Sequence, residues 1–384
     1  MKTVSLWLAG AMILPLLMVG TLFGQENETP WYKNVDIEID AVGVLQGSPG
    51  MTRKDDSYRI DSATDATLVF DLKLTVPTSK SGKAFMQFKT ANGSGIDRDI
   101  PNISLFNAAT ADNNFRLAKI WYEHVFGEKV RLRGGKIDLT TDFDNNAVAN
   151  DEYDQFLSGG FVNNPVVEFP GYSNFGAMLW ISPNEFFDIG VGFADGDPNW
   201  DGGDWDNVFK NPFSILELGM KPKIADRQGN YRIYGWHNDN GHERLLSSGI
   251  ADDANYGFGL SADQEITKDV TLFARYGHQR GSVSQVEHAW SAGVGISGRF
   301  LRREQDTLGF AYGQAIVGKD FKSLDAETGI DSGSEHRMEI YYKIKANKYL
   351  SFSPNLQWAK NPNGDRGNNN IWAFGVRTYL NLSN

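Results

Sequence analysis

The sequence contains no cysteine, which excludes a disulfide framework and thiolate metal sites. Long apolar runs are also scarce, and only the segment 4–23 reaches the roughly 18 apolar residues that a membrane-spanning helix needs. The 6 histidines are scattered, and neither a G-x-S-x-G nor an H-E-x-x-H motif occurs. The sequence therefore gives no sign of an enzyme, and a membrane location beyond the first residues would have to come from strands.

Basic residues are in the minority. The chain has 37 Lys and Arg against 48 Asp and Glu, a net charge of −11, which argues against nucleic acid as a partner. The mean hydropathy of the 384 residues is only −0.39, as expected for a barrel in which every second strand residue faces lipid. Glycine is abundant, with 41 residues, and aromatic residues make up 12%, which suits tight turns and interfacial aromatic girdles.

The N-terminal segment has the organisation of a secretory signal peptide. Lys2 supplies the positive charge, the apolar run 4–23 follows, and polar sequence begins at Gln25. An uncleaved anchor helix is the alternative, but Pro15 within the run and the abrupt polar start favour cleavage. We expect residues 1–24 to be a signal peptide and residues 25–384 to form a single domain.

The rest of the chain alternates between apolar and polar residues with the period of a β-strand. In the segment 67–76, Leu68 and Phe70 lie on an apolar face, whereas Asp71 and Lys73 lie on the other face. About sixteen such segments follow one another, most of them long enough to cross a bilayer at a tilt. The predicted strands are 34–45, 65–76, 82–92, 114–125, 129–138, 172–181, 186–195, 213–222, 231–238, 254–264, 270–279, 288–299, 305–316, 335–346, 349–360 and 371–382.

The connections between these strands alternate in length. Long connections such as 46–64, 93–113 and 139–171 alternate with tight turns such as 77–81 and 182–185. This alternation is typical of a transmembrane barrel with short periplasmic turns and longer outer loops, and a soluble sandwich has no reason to show it. The predicted fold class is therefore all-β, a transmembrane antiparallel β-barrel of about sixteen strands, and a barrel of that size leaves an aqueous channel.

Three stretches, 135–165, 176–196 and 339–377, resemble the carbohydrate-selective porin (OprB) family of bacterial outer membranes. The most specific piece is Pro354-Asn355-Leu356-Gln357, followed by Asn361-Pro362 and Gly375-Val376-Arg377. The resemblance implies a sixteen-stranded outer-membrane barrel and passive uptake of sugars. One departure is the C-terminal residue, Asn384, where the family usually has an aromatic residue.

The connection 139–171 is the longest, and we expect it to fold into the barrel and narrow the pore, because a loop of this length needs a structural reason. Asn145 or Asn146 is predicted to cap a short helix with Tyr153 and Phe156 on its apolar face. The alternative is an ordinary surface loop that contains a helical turn.

The candidate pore-lining residues are polar or aromatic residues that are predicted to face inward or to lie in this loop. Mixed charges there would offer hydrogen-bond donors and acceptors to sugar hydroxyls. The set is Lys89, Lys119, Trp121, Glu123, Arg131, Arg133, Lys136, Asp138, Asp142, Asp144, Arg232, Trp236, Arg275, Arg337 and Glu339. Any strand residue that faces water inside a barrel is polar, so residue type alone does not single out one member of this set.

Aromatic residues fall into two predicted groups. Those with inward parity can stack on a pyranose ring or pack against the inserted loop; they are Trp121, Tyr234, Trp236 and Tyr341. Those beside short turns are expected in the periplasmic aromatic girdle; they are Trp180, Phe186, Phe187, Phe300 and Tyr349.

The acidic segment 195–207 is a weak candidate for a calcium site. Its alternate positions carry oxygen ligands, namely Asp195, Asp197, Asn199 and Asp201. However, Trp200 stands where an EF-hand loop has glycine, and Asp206 stands where it has glutamate. A solvated surface loop is the favoured interpretation.

The leading hypothesis is a passive channel in the bacterial outer membrane with no cofactor and no energy source. Its expected partners are small neutral sugars, outer-membrane lipid and lipopolysaccharide, and the barrel-assembly machinery during insertion, with no nucleic acid and with a monomeric or trimeric state. The alternatives are a general porin, a porin that prefers dicarboxylates or amino acids, and a barrel without a transport function.

Overall fold

The structure is a computed structural model, and it describes residues 34–111, 113–171, 173–196, 207–247 and 253–383. Sixteen long strands account for most of these residues. The predicted signal peptide, 1–24, lies outside the described residues, so the division into a signal peptide and a single barrel domain stays a prediction.

The sixteen strands are labelled in chain order. The first eight are β1 (Asp36–Ser48), β2 (Ala63–Pro77), β3 (Gly82–Asn92), β4 (Arg116–Phe126), β5 (Val130–Ile137), β6 (Asn174–Ile181), β7 (Phe187–Asp195) and β8 (Pro212–Met220). The others are β9 (Arg227–His242), β10 (Asp253–Thr267), β11 (Val270–Gln279), β12 (Val286–Ser297), β13 (Thr307–Val317), β14 (Ser334–Lys345), β15 (Leu350–Lys360) and β16 (Ile371–Ser383). Each predicted strand segment overlaps one of them.

Every strand pairs in antiparallel fashion with its neighbours in the chain, and β1 also pairs with β16. In this closing pair, Val42 lies opposite Tyr379. Closure leaves no free edge among the sixteen described long strands, so the backbone groups of each can find partners within the bilayer. A two-residue strand, Lys223–Ile224, extends the turn between β8 and β9. The predicted antiparallel barrel is confirmed.

The two faces of the barrel wall differ as the sequence pattern predicts. On β2, Leu68 and Phe70 are 56% and 36% exposed on the outer face, whereas Asp71 is 1% exposed and points inward. The same outward apolar face continues on β8 with Leu216 and Leu218. Apolar side chains on the outside and polar side chains on the inside are the arrangement that a bilayer requires.

Short turns close one end of the barrel. Gly127 and Glu128 both have positive φ, which is the geometry of a two-residue hairpin turn whose twist matches that of the strands. The predicted girdle residues Phe186, Phe187, Phe300 and Tyr349 are exposed beside such turns. This end is the periplasmic end, since short turns lie on that side in outer-membrane barrels.

Helices are few and short. The α-helices of the described residues are α1 (Gly159–Val162) and α2 (Lys319–Glu327), and single 3-10 turns occur at Ile96–Arg98, Leu139–Thr141, Asn207–Phe209, Gly298–Leu301 and Pro362–Gly364. Across the described ranges, no helix has both the length and the apolar character needed to cross a membrane.

Candidate permeation pathway

The loop 139–171, here called the inserted loop, folds into the barrel. Asp138 caps its first turn, because Oδ1 accepts a hydrogen bond from the Thr140 amide at 3.1 Å. Further along, Phe143, Phe156 and Phe161 are fully buried. Their burial shows that the loop packs against the wall of the barrel. The helix predicted to start at Asn145 or Asn146 is wrong, since the helix of this loop begins only at Gly159.

A buried ion pair fixes the first half of the inserted loop to β11. Arg275 Nε lies 3.2 Å from Asp144 Oδ1, and the two side chains are 2% and 0% exposed. The same guanidinium donates to the carbonyl oxygens of Phe161 and Asp144, at 2.7 Å each. Tyr234 Oη donates to Asp144 Oδ1 at 2.8 Å. Both charges are thus paired and hydrogen-bonded, which is the condition for keeping charges in an interior.

A carboxylate on β14 and a guanidinium on β16 hold the second half. Glu339 on β14 accepts hydrogen bonds from the amides of Leu157 and Ser158 at 2.9 and 2.8 Å. Arg377 on β16 donates to the carbonyl oxygens of Glu152 and Gln155 at 2.7 and 2.8 Å. The inserted loop is therefore fixed to the part of the wall that runs from β11 to β16.

A second loop, residues 93–111, also enters the barrel. Phe106 is fully buried, and its carbonyl oxygen accepts hydrogen bonds from Gln46 and Gln357 of the wall at 3.1 and 2.8 Å. Asp97 organises this loop by accepting hydrogen bonds from the Phe106 and Asn107 amides at 2.6 and 3.0 Å. Burial raises the pKa of Asp97 to about 6, although these two hydrogen bonds favour the charged form.

The two loops join each other inside the lumen. The Ala108 amide donates to the Leu157 carbonyl at 2.8 Å, and the Gly159 amide donates to the Leu105 carbonyl at 3.0 Å. The loops together cover the inner face of β14 to β16. Among the predicted lining residues, those with partly exposed side chains therefore lie on the other side of the barrel, on β3 to β9.

On that side, cations and carboxylates alternate along the wall. Arg133 donates to Glu123 at 2.7 Å and to Asp142 of the inserted loop at 2.7 Å. Arg131 also reaches Asp142, at 2.9 Å, and keeps 34% of its side chain exposed. Lys119 pairs with Asp138 at 2.8 Å. Each of these cations contacts a carboxylate, so the boundary between loop and wall is polar but locally balanced in charge.

Beside this boundary, near the periplasmic turns, lies a cavity of about 390 Å³, here called the vestibule. Its lining includes both charges and an aromatic face: Arg131, Asp142, Trp180, Asp188, Glu217 and Arg232. Arg232 lies 3.1 Å from Asp263 and 3.8 Å from Glu217, so the same pairing of opposite charges continues here.

The predicted lining residues divide into two groups. The first group lies at the contact between the inserted loop and β3 to β9 or in the vestibule, and Arg131, Asp142 and Arg232 are its members that line the vestibule. The group is Lys89, Lys119, Trp121, Glu123, Arg131, Arg133, Asp138, Asp142 and Arg232. Within it, Trp121 stacks on Phe85 with 4.7 Å between ring centroids and lies 4.2 Å from the Arg133 guanidinium carbon. Lys89 lies over the Tyr153 ring of the inserted loop at 5.3 Å.

The residues of the second group are covered by the two loops, and we revise their predicted role as lining residues. Asp144 belongs to the inserted loop, and Arg275, Arg337 and Glu339 point inward from the wall as predicted. The loops bury all four, so these residues hold the loops in place. Trp236 is likewise covered, at 3% exposed, and packs on Phe213.

Lys136 and Trp180 face opposite to their predicted directions. Lys136 lies opposite Ile120 and Phe175, so it shares the outer face with them, and its Nζ donates to the Leu117 carbonyl at 3.3 Å. Trp180, predicted in the girdle, points inward and packs on Phe143 with 5.1 Å between ring centroids. Both strands carry apolar or glycine residues on both faces here, which removes the alternation that would have shown the direction.

The sequence reasoning also missed Glu217 and Asp263, which pair with Arg232. The alternation of residues along β8 and β10 places both side chains on the inward face, and this pattern could have identified them. Of the weak calcium candidate, Asp195 is buried at the end of β7, whereas Asp197, Asn199 and Asp201 lie outside the described residues.

Residues 57–382 match the family described as "Carbohydrate-selective porin, OprB family". Porin AaxA of Chlamydia trachomatis serovar D is 25% identical over 269 residues, a match that covers 65% of this chain and 55% of that protein. Porin B of Pseudomonas aeruginosa is 23% identical over 202 residues, covering 42% of this chain and 43% of that protein. The chain thus spans about half the length of these curated porins.

Among solved structures, the high pH structure of Pseudomonas putida OprB superposes with a TM-score of 0.77 and 18% sequence identity, covering 91% of this chain and 95% of that one. The outer membrane channel DcaP of Acinetobacter baumannii superposes with a TM-score of 0.54 and 12% identity, covering 91% and 97%. At these identities the likeness shows the fold alone. Because the family match extends over most of the chain, the protein belongs to the carbohydrate-selective porin (OprB) family and is an integral β-barrel porin of a bacterial outer membrane.

Proposed function

We propose that this porin lets small neutral carbohydrates diffuse passively through the gap between the inserted loop and the wall of β3 to β9. The observation that supports the proposal best is the pairing of charges along this gap. Arg131 and Arg133 face Asp142, and Arg232 faces Asp263 in the vestibule. The description of the family as carbohydrate-selective points to the same class of solute.

A lining of paired charges suits a neutral, hydroxyl-rich solute. Guanidinium groups donate up to five hydrogen bonds and carboxylates only accept them, so a sugar hydroxyl finds both kinds of partner. Because the opposite charges lie within about 3 Å of each other, their fields largely cancel for a passing ion. A dissolved anion or cation would therefore gain little from entering this gap.

Two indole rings add an apolar surface to this polar pathway. Trp180 lines the vestibule, and Trp121 lies beside Arg133 in the gap. The C–H face of a pyranose can pack on such a ring while its hydroxyls contact the charged groups. Several weak contacts of this kind orient a solute and still release it, as a channel requires.

Liposome swelling with the purified, folded protein tests the proposal. The solutes are a size series of neutral sugars, each beside a monovalent anion, a monovalent cation and an amino acid of matched size. The proposal expects the neutral sugar to enter fastest in every matched set. Empty liposomes and liposomes with heat-unfolded protein are the controls.

Two outcomes would overturn the carbohydrate proposal. Equal entry of all solutes below one size would indicate a general porin, and faster entry of an anion or an amino acid would indicate the differently selective alternative. An Asp142→Asn variant sharpens the comparison, because it leaves Arg131 and Arg133 without this partner and should move the preference towards anions.

A further inference from the structure

Two histidines and a glutamate meet on the outer surface of the barrel, away from the permeation pathway. His278 on β11 and His288 on β12 lie directly opposite each other across the strand pair. Their ring centroids are 4.5 Å apart. One ligand atom from each ring and one from the Glu287 carboxylate all lie within 4.8 Å of one another.

The neighbouring residues show that this cluster faces outward. A Cβ on Gly277 would lie 2.4 Å from Val166 of the inserted loop, so Gly277 faces the lumen, and its partner Ala289 is 2% exposed on the same inner face. Strand residues alternate between faces, so His278 and His288 point away from the lumen. They lie near the ends of their strands at the outer rim, within reach of the external medium.

A β-bulge brings the carboxylate to the imidazoles. In a regular strand, Glu287 and His288 would point to opposite faces. The register between β12 and β13 shifts between Val286 and His288, which leaves Glu287 as an extra residue. Such bulges redirect a side chain, and here the result is a Glu and a His on one side of the strand.

The surroundings of the two Nδ1 atoms favour a bound metal ion. Tyr276 Oη lies 2.9 Å from Nδ1 of His288, and if Nδ1 donates its proton there, Nε2 keeps its lone pair for a metal ion. Nδ1 of His278 is buried and has no hydrogen-bond partner among the described residues. A desolvated nitrogen without a partner is unfavourable, and a bound ion that orders the ring offsets part of that cost.

We propose that His278, Glu287 and His288 form a binding site for a divalent transition-metal ion of the zinc or copper class at the outer rim of the barrel. Two imidazoles and one carboxylate are the ligand set that such ions accept, with a water molecule in the remaining position. Metal–ligand bonds of about 2.1 Å in a tetrahedron require the donors to lie about 3.4 Å apart. Rotation of the Glu287 side chain on its bulge provides this adjustment.

The test uses the full-length protein without an affinity tag, folded in detergent and stripped of metal with a chelator. Zn²⁺ is titrated by calorimetry, and Cu²⁺ is titrated by electron paramagnetic resonance, which reports nitrogen ligands directly. We expect one equivalent of metal per barrel and a copper signal with two nitrogen ligands. His278→Gln and His288→Gln should each weaken binding at least tenfold, and Tyr276→Phe should weaken it by about tenfold.

His336→Gln is the matched control. The ring of His336 also has a tyrosine hydroxyl beside it, since Tyr312 Oη lies 2.5 Å from its Nδ1. His336 is not part of the metal-ligand cluster found among the described residues. The His336→Gln variant should bind metal as the wild type does. Glu287→Gln serves as a second variant if a histidine variant fails to fold, which heat-modifiable migration on gels detects. The proposal is overturned if the wild type has no saturable site below about 1 mM metal, or if the His278 and His288 variants bind like the His336 variant.

Discussion

Arg275 of β11 and Asp144 of the inserted loop form an ion pair of 3.2 Å between side chains that are at most 2% exposed. We predict that Arg275→Met releases the first half of the loop, because it leaves the Asp144 carboxylate buried without its cation. Breaking a buried pair in this way costs about 3–5 kcal/mol, and the loop avoids that cost if Asp144 moves to a position where water reaches it. Single-channel recording should show a higher and noisier conductance.

Arg299→Met provides the control for this variant. Arg299 pairs with Asp269 at 2.9 Å, but at a periplasmic turn, where the two side chains are 43% and 27% exposed. Such pairs contribute at most about 1 kcal/mol, so conductance should stay at the wild-type level. An unchanged conductance in Arg275→Met would show that the loop does not depend on this ion pair.

Glu339 holds the other half of the loop through the amides of Leu157 and Ser158. In Glu339→Gln, one of the two amides loses its acceptor and faces an NH₂ group. We expect the local opening free energy to fall by about 1–3 kcal/mol. Hydrogen exchange at these two amides should therefore accelerate by roughly 5- to 150-fold while exchange in the strands stays the same.

An exposed glutamate gives the comparison for this measurement. Glu304 has 69% of its side chain exposed at the turn between β12 and β13, and Glu304→Gln should leave the exchange rates in the loop unchanged. Equal exchange rates in wild type and Glu339→Gln would mean that the backbone contacts of Glu339 do not limit the opening of the loop.

The strands were predictable from the sequence because their signal is local. Alternation on β2 places Leu68 and Phe70 outside and Asp71 inside without reference to any other part of the chain. The prediction fails where the alternation of polar and apolar residues is interrupted. Lys136 follows Gly134-Gly135, which carry no side chain to mark a face, and β9 extends from Arg227 to His242 beyond the predicted 231–238 because polar residues and glycines hide its ends.

The site was predictable only in part, because the loop that covers an inward-facing residue lies far from that residue in the sequence. The alternation along their strands predicts that Arg275 and Glu339 face inward. The loop that covers them, however, begins more than a hundred residues earlier. The entry of the second loop, which buries Phe106, has no local signal at all. Nor does the meeting of His278 and His288, which depends on strand register.

Asp97 makes the second loop sensitive to pH. Burial raises its pKa to about 6, so between its ordinary value of 3.8 and about 6 the folded loop binds more protons than the open loop. The stabilising effect of protonation is therefore complete below about pH 4 and is lost as the pH rises through about 6. The difference is at most about 3 kcal/mol, and partial exposure of the side chain reduces it.

Hydrogen exchange at the Phe106 and Asn107 amides measures this effect, once the intrinsic pH dependence of exchange is subtracted. Protection should be greater at pH 5 than at pH 7.5. Asp97→Asn should show the same protection at both values, because its side chain does not titrate. A rise in protection with pH in the wild type would contradict the raised pKa.

Asp142 is the carboxylate of the inserted loop that balances two cations of β5, Arg131 at 2.9 Å and Arg133 at 2.7 Å. Asp142→Asn removes one negative charge there, and Arg131→Gln removes one positive charge. We expect the reversal potential in a salt gradient to shift towards anion selectivity in the first variant and towards cation selectivity in the second.

Because Arg131 is 34% exposed, both shifts should shrink in 1 M salt, where the screening length falls to about 3 Å. Arg299→Gln, which changes a pair with Asp269 at a periplasmic turn outside the vestibule, should cause a smaller shift than Arg131→Gln. Shifts of the same sign in Asp142→Asn and Arg131→Gln would show that the pathway does not pass between these two residues.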